Sequence, residues 1–485
     1  MVQAKVRLEL INKLVQKLGN LLPDRYAASA RIAVAKVDSI LNGTDESARS
    51  QRMALTVFII RVMSAIIAFF SQVLLARWMG DFEYGIFVAI WAAVIILETL
   101  VSFGMPSGVI RFVSKYREEK RNSHLWGVVY GSAGLTFITS TLFTMSAILL
   151  LQIKPDLLAT NYLLPALLAL ICIPVISVAS IAEATSRAFD WTFTSFIPTF
   201  VLRPLTILGL FWCALVFGFD ASAVTAIWVA LFATYIVSLS QIWRVSRKLY
   251  DSVPRSKPEF KLKYWFLVAV PIFLVESFYV LLTMVDVIFV SILTTPEETA
   301  VYFATTKILA LVHFVYFAVR AASAHRYSSL HTSGNKLALK NYVTQSVAWT
   351  FWPSLMLGIF MFFTGEYFLW LFGPEYIVGA SILWILISGI LIRASVGPAE
   401  SLLVMTGNQN TCAMIYIGAL FINVTLNLSL IPIYGLKGAA MATALAMTFE
   451  SLALYTVIKR KLGIHSFVFT FSGKKHAETG TMHNG

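Results

Sequence analysis

The residues of this chain that could do chemistry are charges set inside long apolar runs. Arg61, Arg203, Arg393 and Lys307 are the cations, and Glu98, Glu276, Asp286 and Glu450 the carboxylates. Asn423 and Asn427 are four residues apart, so they share one face of a helix. A charge at the centre of a bilayer costs ~2.5–3.5 kcal/mol on insertion scales, so such residues face a partner or a wet cavity. An Arg guanidinium offers a planar fork of donors that matches phosphate. Carboxylates near those cations suit ion coupling or gating. No catalytic or metal site is expected beside them. Cys172, Cys213 and Cys412 make neither a metal spacing nor a disulfide framework. "SGNKLAL" (Ser333–Leu339) lacks the spacing of a nucleotide-binding loop. The chain reads as a non-enzyme with no cofactor, and H+ or Na+ is the expected coupling ion.

The elements that must position these charges are transmembrane. The 485 residues are 58% hydrophobic and only 13% charged, about half the charge share of a soluble protein. A crossing helix takes ~20 apolar residues. Twelve such runs are expected, at 53–76, 86–105, 126–153, 162–182, 196–217, 223–243, 265–293, 300–322, 345–364, 378–404, 412–431 and 436–458. They do not alternate with period two, which excludes a membrane β-barrel. The first 52 residues are polar, so no cleavable signal peptide is expected.

Lys and Arg set the direction, because cytoplasmic loops hold them in excess. With both termini inside, the inner segments hold 30 Lys and Arg, and the outer turns hold only Arg77, Lys154 and Lys437. The +13 net charge is thus read as membrane orientation and not as nucleic-acid binding. Depth along each run follows from the 1.5 Å rise per residue. By that measure Arg61 and Glu98 meet in the cytoplasmic half, at a depth shared with Arg203, Arg393 and Glu450. Asp286 and Lys307 are expected to form a salt bridge roughly 10 Å from the outer face. Glu276 falls near mid-membrane. Arg203 and Arg393 show no local partner in sequence. His313 and Arg320, seven apart, share a face, with His313 read as packing and Arg320 as reaching for the interface.

A basic stretch, Arg244–Lys263, separates six runs from six. "FGFDASAVTA" (Phe217–Ala226) is echoed 217 residues later by "YGLKGAAMAT" (Tyr434–Thr443). Parallel repeats of this kind are related by an axis along the membrane normal and enclose a cleft. The expected fold is an all-α polytopic membrane protein of about twelve transmembrane helices, in two six-helix lobes around a central cleft. Its segments are a cytoplasmic amphipathic N-terminal extension (1–52), an N-lobe (53–243), a basic cytoplasmic linker (244–264), a C-lobe (265–458) and a cytoplasmic tail (459–485). Within the extension, "VRLELINKLVQKLGNLL" lines up Val6, Leu10, Leu14, Leu18 and Leu21 on one stripe, as in a helix lying on an anionic leaflet.

Several motifs resemble one family. "LLARWMGDFEYGIF" (Leu74–Phe87) with "FGMPSGVIRFVSKY" (Phe103–Tyr116), "LRPLTIL" (Leu202–Leu208), "LFGPEYIVGASILWIL" (Leu371–Leu386), "LLVMTGNQN" (Leu402–Asn410) and "NVTLNLSLIPIYGLKGAAMATALA" (Asn423–Ala446) resemble the polysaccharide transporter and Wzx-type O-antigen flippase branch of the multidrug/oligosaccharidyl-lipid/polysaccharide (MOP) exporter superfamily. The resemblance covers roughly 53–458. It implies alternating access that moves a polyprenyl-pyrophosphate-linked oligosaccharide, a surface polysaccharide precursor, from the inner to the outer leaflet of a bacterial inner membrane. Arg61, Arg203, Arg393 and Lys307 are then expected to line the pyrophosphate and glycan cleft. Glu98, Glu276, Asp286, Glu450, Asn423 and Asn427 are expected to couple an ion or gate the path. The implied partners are the lipid-linked oligosaccharide, membrane lipids and polysaccharide polymerase or assembly proteins. The competing readings are an ion-coupled drug/cation antiporter and a lipid II flippase of the same superfamily, then a membrane glycan polymerase or ligase, which the short outer loops disfavour. In the first motif, Gly80 and Gly85 are read as a tight turn, with Trp78 and Tyr84 as interface anchors.

Overall fold

The computed structural model describes residues 46–469, with side chains from 60 onward except at a few positions in 271–279. The amphipathic stripe at Val6–Leu21 and the tail beyond 469 lie outside the described residues. So does the side chain of Glu276. Contacts divide the chain into units 1–66 and 67–485. Everything below belongs to the larger unit except Arg61 and the rest of residues 46–66, with which the first helix begins.

The described residues form helices and no strand. In order they are α1 (Glu46–Val101), α2 (Met105–Glu118), α3 (Asn122–Ile153), α4 (Thr160–Leu170), α5 (Cys172–Ala188), α6 (Thr192–Ile197), α7 (Arg203–Val216), α8 (Ala223–Ser252), α9 (Leu262–Leu293), α10 (Pro296–Thr332), α11 (Lys336–Trp370), α12 (Ala380–Ala394), α13 (Ala399–Met405), α14 (Gln409–Tyr434) and α15 (Leu436–Leu462). Among the described residues nine helices are long and apolar enough to cross a membrane. The bent pair α4 and α5, at 42°, makes a tenth crossing. Gly80 divides α1 in two, because its φ of 76° and ψ of 169° are not helical. The 32-residue α9 completes the twelve-helix bundle.

Besides the bent α4–α5 pair, three expected crossings are broken rather than straight. The second ends at Phe103-Gly104, both at positive φ, and continues as α2. That helix carries Arg111, Lys115 and Arg117 where a loop was expected. The fifth passes through a π-helical turn at Pro198–Leu202 immediately before Arg203. The tenth is interrupted between α12 and α13 at Gly397, where φ is 65° and a Cβ would stand 2.8 Å from Val347. Proline explains part of this, since Pro198, Pro204 and Pro398 remove ladder donors.

The repeat noted in the sequence has a conformational counterpart. Gly218 and Gly435, 217 residues apart, both take positive φ (86° and 56°) just before a long helix. Helix α9 touches both halves. Its early part packs on α2, where Gly104 and Gly108 admit Phe273 and Ala269, and Trp265 Nε1 donates to the Tyr116 hydroxyl at 3.1 Å. Its late part packs on α14. The two halves also meet at the Gly80 end of the bundle. A Cβ on Gly85 would occupy the position of the Pro296 carbonyl. Phe69 packs edge-on against Phe368 and Phe372. Tyr84 is fully buried, its ring edge-on to Phe303 and Tyr376, and its hydroxyl donates to Gln72 at 2.9 Å. Tyr84 is therefore a core residue between the halves and not an interface anchor. Gly85 serves a close helix approach, and only Gly80 makes the turn.

Candidate functional site

The richest buried polar cluster lies between α9, α10, α12, α14 and α15. It lines a cavity of about 220 Å³ whose wall includes Asp286, Lys307, His313, Arg393, Asn423 and Glu450. Asp286 Oδ1 accepts from Asn423 Nδ2 at 2.9 Å and from Asn427 Nδ2 at 2.7 Å. Its Oδ2 accepts from the Thr443 hydroxyl at 2.6 Å, and Thr443 lies 3.2 Å from the Tyr302 hydroxyl. The helical spacing of Asn423 and Asn427 is what turns both amides onto one carboxylate. Asn427 Oδ1 is buried with no hydrogen-bond partner among the described residues. Charged acceptors make the stronger class of hydrogen bond, which compensates for burying Asp286.

Lys307 does not form the expected salt bridge with Asp286. Its ammonium sits 4.2 Å from the centroid of the Phe303 ring. Both residues face the same cavity, so they share a level of the bundle without the inferred contact.

Arg393 also differs from expectation, for it has a partner. Its Nη2 lies 3.1 Å from Glu450 Oε1, with both side chains nearly inaccessible, and its guanidinium lies 4.8 Å from the Tyr316 ring centroid. Next to it stands a residue that the sequence reading passed over. Glu400 is buried, accepts from the Tyr316 hydroxyl, and pairs with Arg320 Nε at 3.3 Å. Arg320 is thus an ion-pair partner and not only a residue reaching for the interface. His313 lies beside Tyr316 and Phe317.

In the first half, Glu98 accepts from Ser180 at 2.8 Å and Ser102 at 3.3 Å. Arg203 interacts electrostatically with Glu183 and Glu98, and its Nη2 lies 3.5 Å from the Ser238 hydroxyl. Arg203 therefore has local partners, which only the fold brings to it. Glu183 itself is held by Arg187 at 3.4 Å and Thr199 at 3.0 Å. Arg61 lies in the smaller unit with an exposed side chain. Among the described residues no three His, Cys, Asp or Glu side chains group as metal ligands.

Comparison with known proteins agrees with this architecture. The profile of the family described as "Polysaccharide biosynthesis protein" matches residues 52–324, and that of the MatE family matches 271–428. No curated protein sequence matches the chain. Among solved structures, the fold is similar to an inward-facing multidrug resistance MATE family transporter of the MOP superfamily, at a TM-score of 0.67 and 14% identity, over 84% of this chain and 98% of that one. It is similar to the lipid II flippase MurJ in an inward closed conformation, at 0.65 and 16%, over 84% and 87%. A MOP superfamily transporter from Pyrococcus furiosus, whose binding pocket is described as reversed in polarity, matches at 0.61 and 15%, over 88% and 97%. The chain belongs to the family described as "Polysaccharide biosynthesis protein", and its fold is similar to those of the MOP superfamily transporters and the flippase named above.

Proposed function

We propose that this protein is a flippase that carries a polyprenyl-pyrophosphate-linked oligosaccharide across the bacterial inner membrane by alternating access. The observation that carries the reading is the family match over residues 52–324, joined to cations set within the apolar helices of both halves of the bundle. Arg203 in the first half and Lys307 and Arg393 in the second suit a diphosphate, whose charge would otherwise be stranded in hydrocarbon. In this reading both termini are cytoplasmic and the Gly80 end faces outward.

The cavity beside Asp286 serves a different part of the cycle. At about 220 Å³ it is too small for an oligosaccharide head and suits an ion with a few waters. Its carboxylate, two amides and hydroxyl come from three helices, α9, α14 and α15. The carboxylate is itself a proton site, and turning the two amides so that their oxygens face it in place of their nitrogens gives an oxygen set for a hard cation. The coupling ion then binds in the second half while the cargo head occupies the cleft between halves.

The test is leaflet inversion. Purified protein in vesicles should expose a polyprenyl-pyrophosphate oligosaccharide on the far leaflet, read by lectin accessibility, faster than protein-free vesicles do. Equal rates with and without protein under both Na+ and proton gradients would refute the reading. Export of a lipophilic cation in its place would favour the antiporter alternative.

A further inference from the structure

The strand-free segment between α8 and α9 is not a loose connector. Trp126 Nε1 donates to the Pro254 carbonyl at 3.0 Å, and Glu259 N donates to the Ser123 carbonyl at 3.0 Å. Gly127 lies directly against the Glu259 backbone, where a Cβ would have no room. These contacts tie the segment to the start of α3. Beneath it opens a cleft of about 400 Å³, lined by Trp126, Tyr130, Tyr250, Arg255, Ser256 and Pro258. Trp126 stacks on Tyr130 at 5.4 Å and lies 4.9 Å from Tyr250, and the two tyrosine hydroxyls share a hydrogen bond of 2.5 Å. The Arg255 guanidinium sits 5.4 Å from the Tyr250 ring centroid, which holds it over the cleft.

The position of the cleft indicates what enters it. On α3, Phe137, Ile138, Leu142 and Met145 form an exposed apolar band, and Tyr130 is seven residues before Phe137 on the same face. On α8, Phe232, Ile236, Leu239 and Trp243 form a second exposed band, and Tyr250 is seven residues after Trp243. Both lipid-facing bands thus end at the cleft, where apolar surface gives way to phenols and a guanidinium. Arg247, over the Trp243 ring at 4.8 Å, adds a cation at the same end. Aromatic residues at the headgroup level and juxtamembrane cations are the chemistry that anionic headgroups meet.

We propose that the cleft between α3, α8 and the Val253–Lys261 strap binds the phosphate headgroup of an anionic membrane lipid. Arg255 supplies the charge, Ser256 and whichever of Tyr130 and Tyr250 accepts in their shared hydrogen bond supply hydroxyl donors, and the acyl chains lie along the two apolar bands. The site is remote from the cavity beside Asp286 and independent of the transported cargo. Its consequence is a lipid-dependent fastening of the strap that joins the two halves.

The experiment uses the purified full chain in detergent with equal phosphatidylglycerol and phosphatidylcholine, read by native mass spectrometry. Phosphatidylglycerol should be retained preferentially. R255Q should cut the preference about fivefold, the factor one basic group confers at an anionic surface. R255K should keep most of it, and K340Q, a remote exposed lysine on α11, should keep all of it. No preference in the wild-type chain, or a preference unchanged in R255Q, overturns the proposal. Inorganic phosphate serves as the second probe. If it raises the thermal midpoint without lipid as much as phosphatidylglycerol does, the site takes soluble anions and the lipid assignment fails.

Discussion

Arg77 Nε donates to the backbone carbonyl of Leu371 at 2.8 Å, joining residues 294 apart across the two halves of the bundle. Its Nη2 reaches the Trp370 carbonyl at 2.5 Å, and its guanidinium lies 5.2 Å from the Trp370 ring centroid. The last carbonyls of α11 have no helical partners, and a cation there also suits the helix dipole. Arg77 therefore caps α11 and fastens the Gly80 end in one contact. The side chain is exposed, so the fastening is worth about 1 kcal/mol rather than the value of a buried bond. R77Q should shift the halves roughly fivefold toward separation at that end. Spin labels at Asp81 and Val378 should show a larger long-distance population; an unchanged distribution would remove the latch.

Gly85 supplies a steric test of the same contact. A side chain there must displace the Pro296 backbone. Overpacking of this kind costs typically 1–3 kcal/mol. G85A should favour the separated arrangement more strongly than R77Q, with the label distances as readout. If G85A leaves both distances and transport intact, α1 and α10 do not need to approach closely during the cycle.

The direction of the chain in the membrane has its own test. The bias of 30 against 3 Lys and Arg predicts that Asp81 and Glu297 lie outside and Lys257 inside. Cysteines at positions 81 and 297 should react with an impermeant thiol reagent in intact cells, and one at 257 should react only after lysis. Labelling of position 257 from outside would invert the topology and with it the assignment of the Gly80 end.

The Asp286 cluster predicts two effects of opposite sign. Thr443 donates one of three hydrogen bonds to the carboxylate. A hydrogen bond to a charged group is worth about 1.5–3 kcal/mol and favours the ionised carboxylate, so T443V should tighten proton binding roughly tenfold or more. D286N removes the charge and should abolish ion dependence while keeping the protein inserted. Isothermal titration with Na+, and with H+ by pH jump, reads both variants. Full affinity in D286N would place the coupling ion elsewhere.

Much of this was legible in the residues. The apolar runs fixed the number of crossings, Gly80 marked a turn, and the spacing of Asn423 and Asn427 put both on one face. The matched level of residues on antiparallel helices was also readable, and Asp286 and Lys307 reach the same cavity. Azimuth was not. A straight-helix estimate says how far a side chain lies from the surface and not which neighbour it faces. Lys307 therefore meets Phe303, and Arg393 meets Glu450, through choices of helix packing that sequence leaves open. Glu400 was missed for a related reason, since it sits just past the α12 break, and its partners Tyr316 and Arg320 belong to α10. Arg77 read as a lone outer cation because its acceptors are backbone carbonyls, which carry no residue signature.

The pair of Arg393 and Glu450 makes the sharpest energetic prediction. Both side chains are almost completely inaccessible, at 8% and 4% exposure, and they meet at 3.1 Å. Removing one partner of a buried pair strands the other charge, at a cost of about 3–5 kcal/mol. R393M and E450Q should therefore each lower protein level and thermal midpoint. Replacing both relieves the stranded charge, so the double variant R393M/E450Q should regain much of the stability that either single variant loses. The coupling in that cycle should exceed about 0.5 kcal/mol, the limit of additivity for separate sites. Transport then separates two roles. If the stable double variant also moves cargo, the pair only fastens α12 to α15. If it folds and does not move cargo, one of the two charges acts on the cargo or the ion. R393K discriminates between them, because it keeps the charge and loses the planar fork that a diphosphate would use. Cargo recognition by Arg393 predicts that R393K remains stable and fails in transport. Normal transport by R393K would remove Arg393 from the cargo site.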